Sequence, residues 1–206
     1  KGQSFLRMLE NYLGEIPFRD GIRLYINRHT YSNTTTADLW AALEEASGKA
    51  VQAVAADWTE RPGFPLVTAT REIRDGTVQL VLRQKRFLLS KNATPEEPWK
   101  IPLAYARLSE IENPEMVLME GGELILPWPK GSGPLKLNVG NIGFFRVQYD
   151  EALATELASQ SPDSAIANTL LFWNSCSRPS GQSTVIKKAN QVAPPTSNGR
   201  SRFSTP

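Results

Sequence analysis

The sequence has 206 residues, 40% of them hydrophobic and 21% charged, as is typical of a globular protein with one or two domains. The formal net charge of +2 is too close to neutral to indicate a nucleic-acid or membrane-surface partner, and no run of 18 apolar residues predicts a membrane span. Cys176 is the single cysteine, which excludes an intramolecular disulfide and a cysteine-based zinc site and favours a reducing, cytoplasmic compartment.

Residues 1–62 have helical periodicity and predict four short helices joined by short connections. The first follows an apolar stripe that ends at Leu13, with Gly14 as its C-cap. The second extends from about Pro17 to Arg28, since proline is suited to the first turn of a helix. Its predicted buried residues are Phe18, Ile22, Tyr25 and Ile26.

The third helix is predicted by Thr35 and Asp38, because this spacing is typical of a capping box, and it ends at Gly48. The fourth carries an apolar face that includes Trp58, and it ends before Pro62. We expect Trp58 to close the join to the segment that follows. Together the four helices make an α-helical subdomain.

From residue 63 to residue 149 the periodicity is that of strands, with Gly and Pro between them. The strand candidates are residues 66–70, 78–83, 101–107, 115–119, 123–126, 135–138 and 144–149. The Asp75-Gly76 pair predicts a hairpin turn, and Trp99 is interpreted as a core residue at the entrance of a strand. This segment is therefore predicted to be a small antiparallel β-sandwich.

Residues 150–162 predict one more helix, which Asp150 opens. Residues 163–206 are rich in Ser, Thr, Asn, Pro and Gly without a sustained period, so they are predicted to be a divergent, low-complexity and mostly disordered tail. The predicted fold class is α+β: a helical subdomain, a sandwich, a helix and a tail.

The residues predict no catalytic and no metal site. An H-E-x-x-H zinc helix needs two histidines, and the only one is His29, interpreted as a solvated or helix-capping residue. Cys176 has no structured histidine nearby in sequence. Gly131-Ser132-Gly133 lacks the strand-to-helix context of a nucleophile elbow and is interpreted as a hairpin loop. Glu44-Glu45 is interpreted as exposed helix surface.

Several segments, in order, carry a recognisable pattern. They are Lys-Gly-Gln-Ser-Phe-Leu-Arg-Met-Leu at 1–9, Phe-Arg-Asp-Gly-Ile at 18–22, Thr-Ala-Asp-Leu-Trp at 36–40, Trp-Thr-Glu-Arg-Pro-Gly-Phe-Pro at 58–65, Gln-Lys-Arg-Phe at 84–87, Trp-Lys-Ile-Pro-Leu at 99–103 and Gly-Phe-Phe-Arg-Val-Gln-Tyr at 143–149. They resemble the zinc aminopeptidase family of aminopeptidase N, puromycin-sensitive aminopeptidase and the endoplasmic-reticulum aminopeptidases, in the gluzincin clan. The sequence departs from the family pattern at three positions. Gln3 replaces the usual Ala, Arg61 stands where Gln is common, and Phe145 replaces a frequent Tyr.

The resemblance implies a parent enzyme that uses zinc to remove N-terminal residues from peptides. In the family, the zinc ligands lie upstream of the segment similar to residues 1–9, and the tyrosine that stabilises the tetrahedral intermediate lies just before it. No catalytic or metal residue is carried onto this chain, which we expect to be inactive alone and to bind no zinc. Its partners would be the peptide substrates of the parent and the upstream catalytic and downstream helical parts of that enzyme.

In family terms, residues 1–62 would be the rear helices of a thermolysin-like catalytic domain and residues 63–149 the spacer. Residues 150–162 would begin the C-terminal helical domain. Two alternatives stay open: a free-standing protein-interaction module and an inactive paralogue. The fragment interpretation predicts exposed apolar surface where the zinc helices would pack, whereas a free-standing module predicts a stable, monodisperse chain.

Overall fold

The computed structural model describes residues 1–87 and 97–160, which form five α-helices and seven β-strands. The helices are α1 (Gly2–Leu13), α2 (Glu15–Arg28), α3 (Thr36–Ser47), α4 (Val51–Thr59) and α5 (Glu151–Ser159). The strands are β1 (Pro65–Arg74), β2 (Thr77–Arg86), β3 (Ile101–Arg107), β4 (Glu115–Met119), β5 (Glu123–Pro127), β6 (Leu135–Leu137) and β7 (Arg146–Tyr149). The predicted tail at 163–206, with Cys176, lies outside the described residues.

The predicted helices and the α+β class are confirmed. The N–H of Gly14 closes α1 by donating to the Glu10 carbonyl at 2.8 Å. At the start of α3, the Thr35 N–H and hydroxyl both donate to Asp38 Oδ2, at 2.7 and 2.8 Å, and these bonds lower the pKa of Asp38. Gly48 then ends α3 in the left-handed conformation. No helix in the described ranges has the length and hydropathy of a membrane-crossing segment.

Helix α2 contacts α3 through a glycine. The predicted burial of the apolar side chains of α2 is therefore wrong. Ile26 is 58% exposed, and Phe18, Ile22 and Tyr25 are only half-buried. Gly21 is the buried residue of α2, and a Cβ atom at this position would lie 2.9 Å from the Leu43 Cα atom. The two helix backbones therefore approach too closely for a side chain between them, and the apolar residues of α2 flank the contact.

The strands form two sheets, in the orders β5-β2-β1-β7 and β4-β3-β6. Their pairs are antiparallel except for β1 and β7, which run parallel with Leu66 opposite Arg146. The predicted antiparallel sandwich is therefore corrected at this edge, where one pair is parallel. The reason is that alternating residues mark a strand and its faces but carry no information about the direction of its partner. The predicted hairpin turn is present, with φ of 51° at Asp75 and 73° at Gly76.

One continuous core connects the helices with both sheets. It includes Leu9 and Leu43 from the helices, Leu82 from the four-stranded sheet and Leu103 from the three-stranded sheet, each fully buried. Since the core is shared, the helices and sheets of residues 1–87 and 97–160 pack as parts of one body.

Candidate functional site

His29 stands alone as a possible imidazole ligand. It caps the C-terminal end of α2, where its N–H donates to the Tyr25 carbonyl at 3.2 Å and its ring lies 5.5 Å from the Tyr25 ring. Within residues 1–87 and 97–160, no three His, Cys, Asp or Glu side chains are grouped so that they could hold a metal ion. The donor set of the described residues therefore does not fit the zinc ion that the family resemblance implies.

The two adjacent carboxylates in α3 join helices. Glu45 accepts hydrogen bonds from both terminal nitrogens of Arg28, each at 2.8 Å, and this contact lowers the pKa of Glu45. Glu44 accepts from the backbone N–H of Gln52 at 2.9 Å, near the start of α4. The hairpin predicted around Ser132 is wrong, because this loop joins β5 to β6, which belong to different sheets; the Ser132 N–H donates to Ser109 Oγ at 2.9 Å. The structure places these groups in separate structural contacts.

The most elaborate polar site of the described residues is the contact between the end of α4 and the segment that enters β3. We call it the junction cluster and define it by six residues: Asp57, Trp58, Arg61, Gln84, Trp99 and Lys100. Trp58 is 1% exposed, and its Nε1 donates to the Lys100 carbonyl at 2.9 Å. Its ring stacks on Phe5 and meets Phe144 edge-on, so Trp58 closes the join between helices and sheets as predicted.

Trp99 mirrors this arrangement from the side of the sheets. It is 1% exposed, and its Nε1 donates back to the Asp57 carbonyl at 3.1 Å. The amide side chain of Gln84 in β2 accepts the Trp99 N–H at 2.9 Å and donates to the Trp99 carbonyl at 2.8 Å. Both indole donors and the backbone of Trp99 are therefore satisfied across the contact, which is what burial of these groups requires.

Asp57 and Arg61, one helical turn apart, complete the junction cluster. Asp57 Oδ2 accepts the Lys100 N–H at 2.8 Å, and its Oδ1 lies 3.4 Å from Arg61. The Arg61 guanidinium lies 4.0 Å from the centre of the Trp99 ring and donates to the carbonyls of Pro98, at 3.1 Å, and Glu97. This geometry suits a fixed contact, because each charged group has a partner on the opposite side.

Sequence reasoning found only part of this cluster. It placed Trp58 and Trp99 in the core but assigned no role to Asp57, Arg61 or Gln84. The four-residue spacing of Asp57 and Arg61 at a helix end was a usable signal for an ion pair. Gln84 had no such signal, since its partners follow 15 and 37 residues later in the chain.

A family model and curated relatives of this chain point to the same protein family. Residues 1–58 match the model described as the peptidase family M1 domain. Aminopeptidase M1 of Arabidopsis thaliana is 35% identical over 183 residues, covering 82% of this chain and 20% of that protein. Glutamyl aminopeptidase of Bos taurus is 34% identical over 187 residues, covering 84% and 18%, and aminopeptidase N of Lactococcus lactis is 36% identical over 162 residues, covering 78% and 19%. The chain spans about a fifth of the length of these curated relatives.

Proposed function

The chain belongs to the peptidase M1 family, and from this premise we propose that it is a scaffold and spacer segment of a zinc-dependent aminopeptidase, without peptidase activity of its own. The single observation that carries the proposal is the junction cluster, in which helices and sheets are held in one orientation by reciprocal buried hydrogen bonds. A spacer transmits geometry only if its parts do not rotate against each other. The indole N–H of Trp58 donates from the helices to the segment entering β3, and that of Trp99 donates back to α4, so the pair opposes such rotation.

The proposed division follows the family. Residues 1–62 would back the wall of a catalytic domain, residues 63–149 would be the spacer, and residues 150–162 would start a helical domain. Zinc, peptide substrate and catalytic groups would be held by parts of a parent enzyme, since the described residues do not offer a fitting metal donor set.

Exposed apolar side chains on and around α2 support the fragment interpretation over a free-standing module. Ile16 is 62% exposed, Ile26 is 58% exposed, and Tyr31 is fully exposed. Phe18 and Ile22, between the two isoleucines, are only half-buried. Such a set on α2 and in the turn that follows it is a surface that a further part of a longer protein would cover.

The absence of intrinsic activity is tested with the purified 206-residue chain, a leucyl or alanyl chromogenic amide and added zinc. We expect the rate to equal that of zinc alone. Metal-dependent turnover would contradict the proposal if a point substitution in this chain changed its rate. His29→Ala is the informative variant, because a contaminating peptidase would be indifferent to it.

The scaffold role is tested by exchanging a segment of an active relative and measuring whether activity is retained. The segment of Lactococcus lactis aminopeptidase N that aligns with this chain, over 162 residues at 36% identity, would be replaced by the corresponding residues of this chain. We expect the chimaera to retain metal-dependent peptidase activity. The matched control is the same chimaera carrying Asp57→Ala and Arg61→Ala, which should lose activity or stability. An intact but inactive chimaera, with both variants alike, would argue against the spacer assignment.

A further inference from the structure

The beginning of α5 is tied to β1. The N–H of Asp150 donates to the Ala69 carbonyl at 3.0 Å, and Asp150 Oδ2 accepts the N–H of Arg71 at 3.1 Å. The other carboxylate oxygen, Oδ1, caps the helix by accepting the N–H of Leu153 at 2.8 Å. One aspartate thus both starts α5 and anchors it to the four-stranded sheet.

The second half of α5 is tied to both sheets through Glu156. The Arg71 guanidinium donates to Glu156 Oε2 at 2.5 Å, and the Arg107 guanidinium lies 3.9 Å from Oε1. Arg71 belongs to β1 in the four-stranded sheet, whereas Arg107 ends β3 in the three-stranded sheet. The carboxylate of Glu156 therefore connects a strand of one sheet with a strand of the other.

The two arginines are themselves held in place. Trp128 lies beneath them, with its ring centre 4.3 Å from the Arg71 guanidinium carbon and 5.8 Å from that of Arg107. Arg107 also donates from Nε to the Gly133 carbonyl at 2.7 Å. Since their orientations are set by these contacts, the guanidinium groups present fixed positive charges to Glu156 with little further loss of side-chain entropy.

We propose that Arg71, Arg107 and Glu156 form an orientation clamp, which makes α5 a rigid extension of the sandwich and sets the direction in which the chain leaves it. This inference deepens the proposed spacer role and rests on it for its biological purpose. The clamp itself is a property of this chain and is measurable without any activity.

Apolar packing alone would not give the same constraint. Helix α5 buries Leu153, Ala154 and Leu157, but burial of apolar area is non-directional and tolerates rotation of a short helix. Asp150 and Glu156 add directional bonds at two points about 9 Å apart along the helix axis. Two anchors at that separation restrict both the tilt and the rotation of α5.

The direct test measures how widely α5 swings. In the full chain with Cys176→Ser, spin labels at Lys85→Cys in β2 and Ser159→Cys at the end of α5 report one distance by pulsed electron resonance. We expect a single narrow distribution, which Glu156→Gln and Glu156→Ala should broaden by about a factor of two. The control Ala152→Gln puts the same amide on an exposed position of α5 and should leave the width unchanged. Equal widths in all four proteins would overturn the clamp.

A second measurement needs no substitution in the clamp. In the unsubstituted chain, backbone amides of α5 from Leu153 to Ser159 should exchange with deuterium as slowly as those of the centre of β1. Rapid exchange confined to α5 would overturn the proposal even if every variant failed to fold. In Glu156→Gln we expect α5 exchange to accelerate about fivefold, in line with loss of a half-buried charge-assisted hydrogen bond. Peptidase activity of the chain would refute the proposed function yet leave these readouts unaltered, and so the two failures are distinguishable.

Discussion

Gln84 and Trp99 form a reciprocal pair in which a side-chain amide takes the place of a neighbouring strand. Gln84 Oε1 accepts the Trp99 N–H at 2.9 Å, and Gln84 Nε2 donates to the Trp99 carbonyl at 2.8 Å. The same nitrogen donates to the Gly121 carbonyl, also at 2.8 Å. One amide therefore connects β2 with the chain entering β3 and with the loop that precedes β5.

Replacement of Gln84 by Glu should destabilise the fold by about 2–3 kcal/mol, because two carbonyls lose their donor and face a negative charge. The measurement is the free energy of unfolding in urea. Gln148→Glu is the matched control, since Gln148 in β7 is half-exposed and has no side-chain hydrogen bond within the described part of the chain. Similar losses of unfolding free energy in the two variants would show that the Gln84–Trp99 pair contributes no more to stability than an ordinary surface glutamine.

Trp58→Phe tests the indole hydrogen bond of the junction cluster. We expect a loss of about 2–3 kcal/mol, because the Lys100 carbonyl loses its donor and a small cavity remains. Trp40→Phe serves as comparison: Trp40 also contacts Phe5, edge-on where Trp58 is stacked, but no indole hydrogen bond of its own is seen among the described residues. The Trp40 variant should lose about half as much or less. The idea fails if both variants have the same urea midpoint.

Gly21→Ala should destabilise the chain by about 1–3 kcal/mol although alanine favours helix formation. The added Cβ atom would lie 2.8 Å from Leu43 Cδ2 and 2.9 Å from Leu43 Cα, so α2 and α3 would have to separate. Gly2→Ala is the control, since a Cβ atom there meets nothing within 4 Å. Thermal unfolding of both variants checks the prediction, and a stabilised Gly21→Ala protein would contradict the close approach of the helices.

The outer face of the four-stranded sheet should contribute to a pH dependence of stability. Hydrogen bonds from Arg83 and then Arg74 lower the pKa of Glu72 from 4.5 to about 2. A carboxylate whose pKa is depressed by folding stabilises the fold above its unfolded pKa, and that contribution disappears as the pH falls towards the folded pKa. Glu72→Gln should therefore be less stable than the parent at pH 7 and nearly equal to it at pH 2.

Unfolding in urea at the two pH values measures this difference. Glu112→Gln, at an exposed position without an ion pair in the described ranges, is the matched control for loss of a surface carboxylate. A gap between parent and Glu72→Gln that is as large at pH 2 as at pH 7 would exclude the ion pairs as its cause. High salt should also reduce the gap at pH 7, because Glu72, Arg74 and Arg83 lie at the surface.

Local features were predictable from the sequence because their causes lie within a few residues. The capping contact of Thr35 with Asp38 and the turn at Asp75-Gly76 both formed at the predicted positions. The placement of Trp58 between helices and sheets followed from its position on the apolar face of α4. The burial of Ile26 was predicted wrongly, since helical periodicity identifies an apolar stripe but not whether a partner covers it.

By itself, the sequence determined the succession of helices and strands, the family, and the fact that one histidine cannot supply an H-E-x-x-H zinc site. Only the tertiary structure decided the parallel pairing of β7 with β1, the contact through Gly21 and the bridging of two sheets by Glu156. The physical reason is distance along the chain. Arg71 and Glu156 are 85 residues apart, and no local pattern records which distant groups the packing of a common core brings into contact.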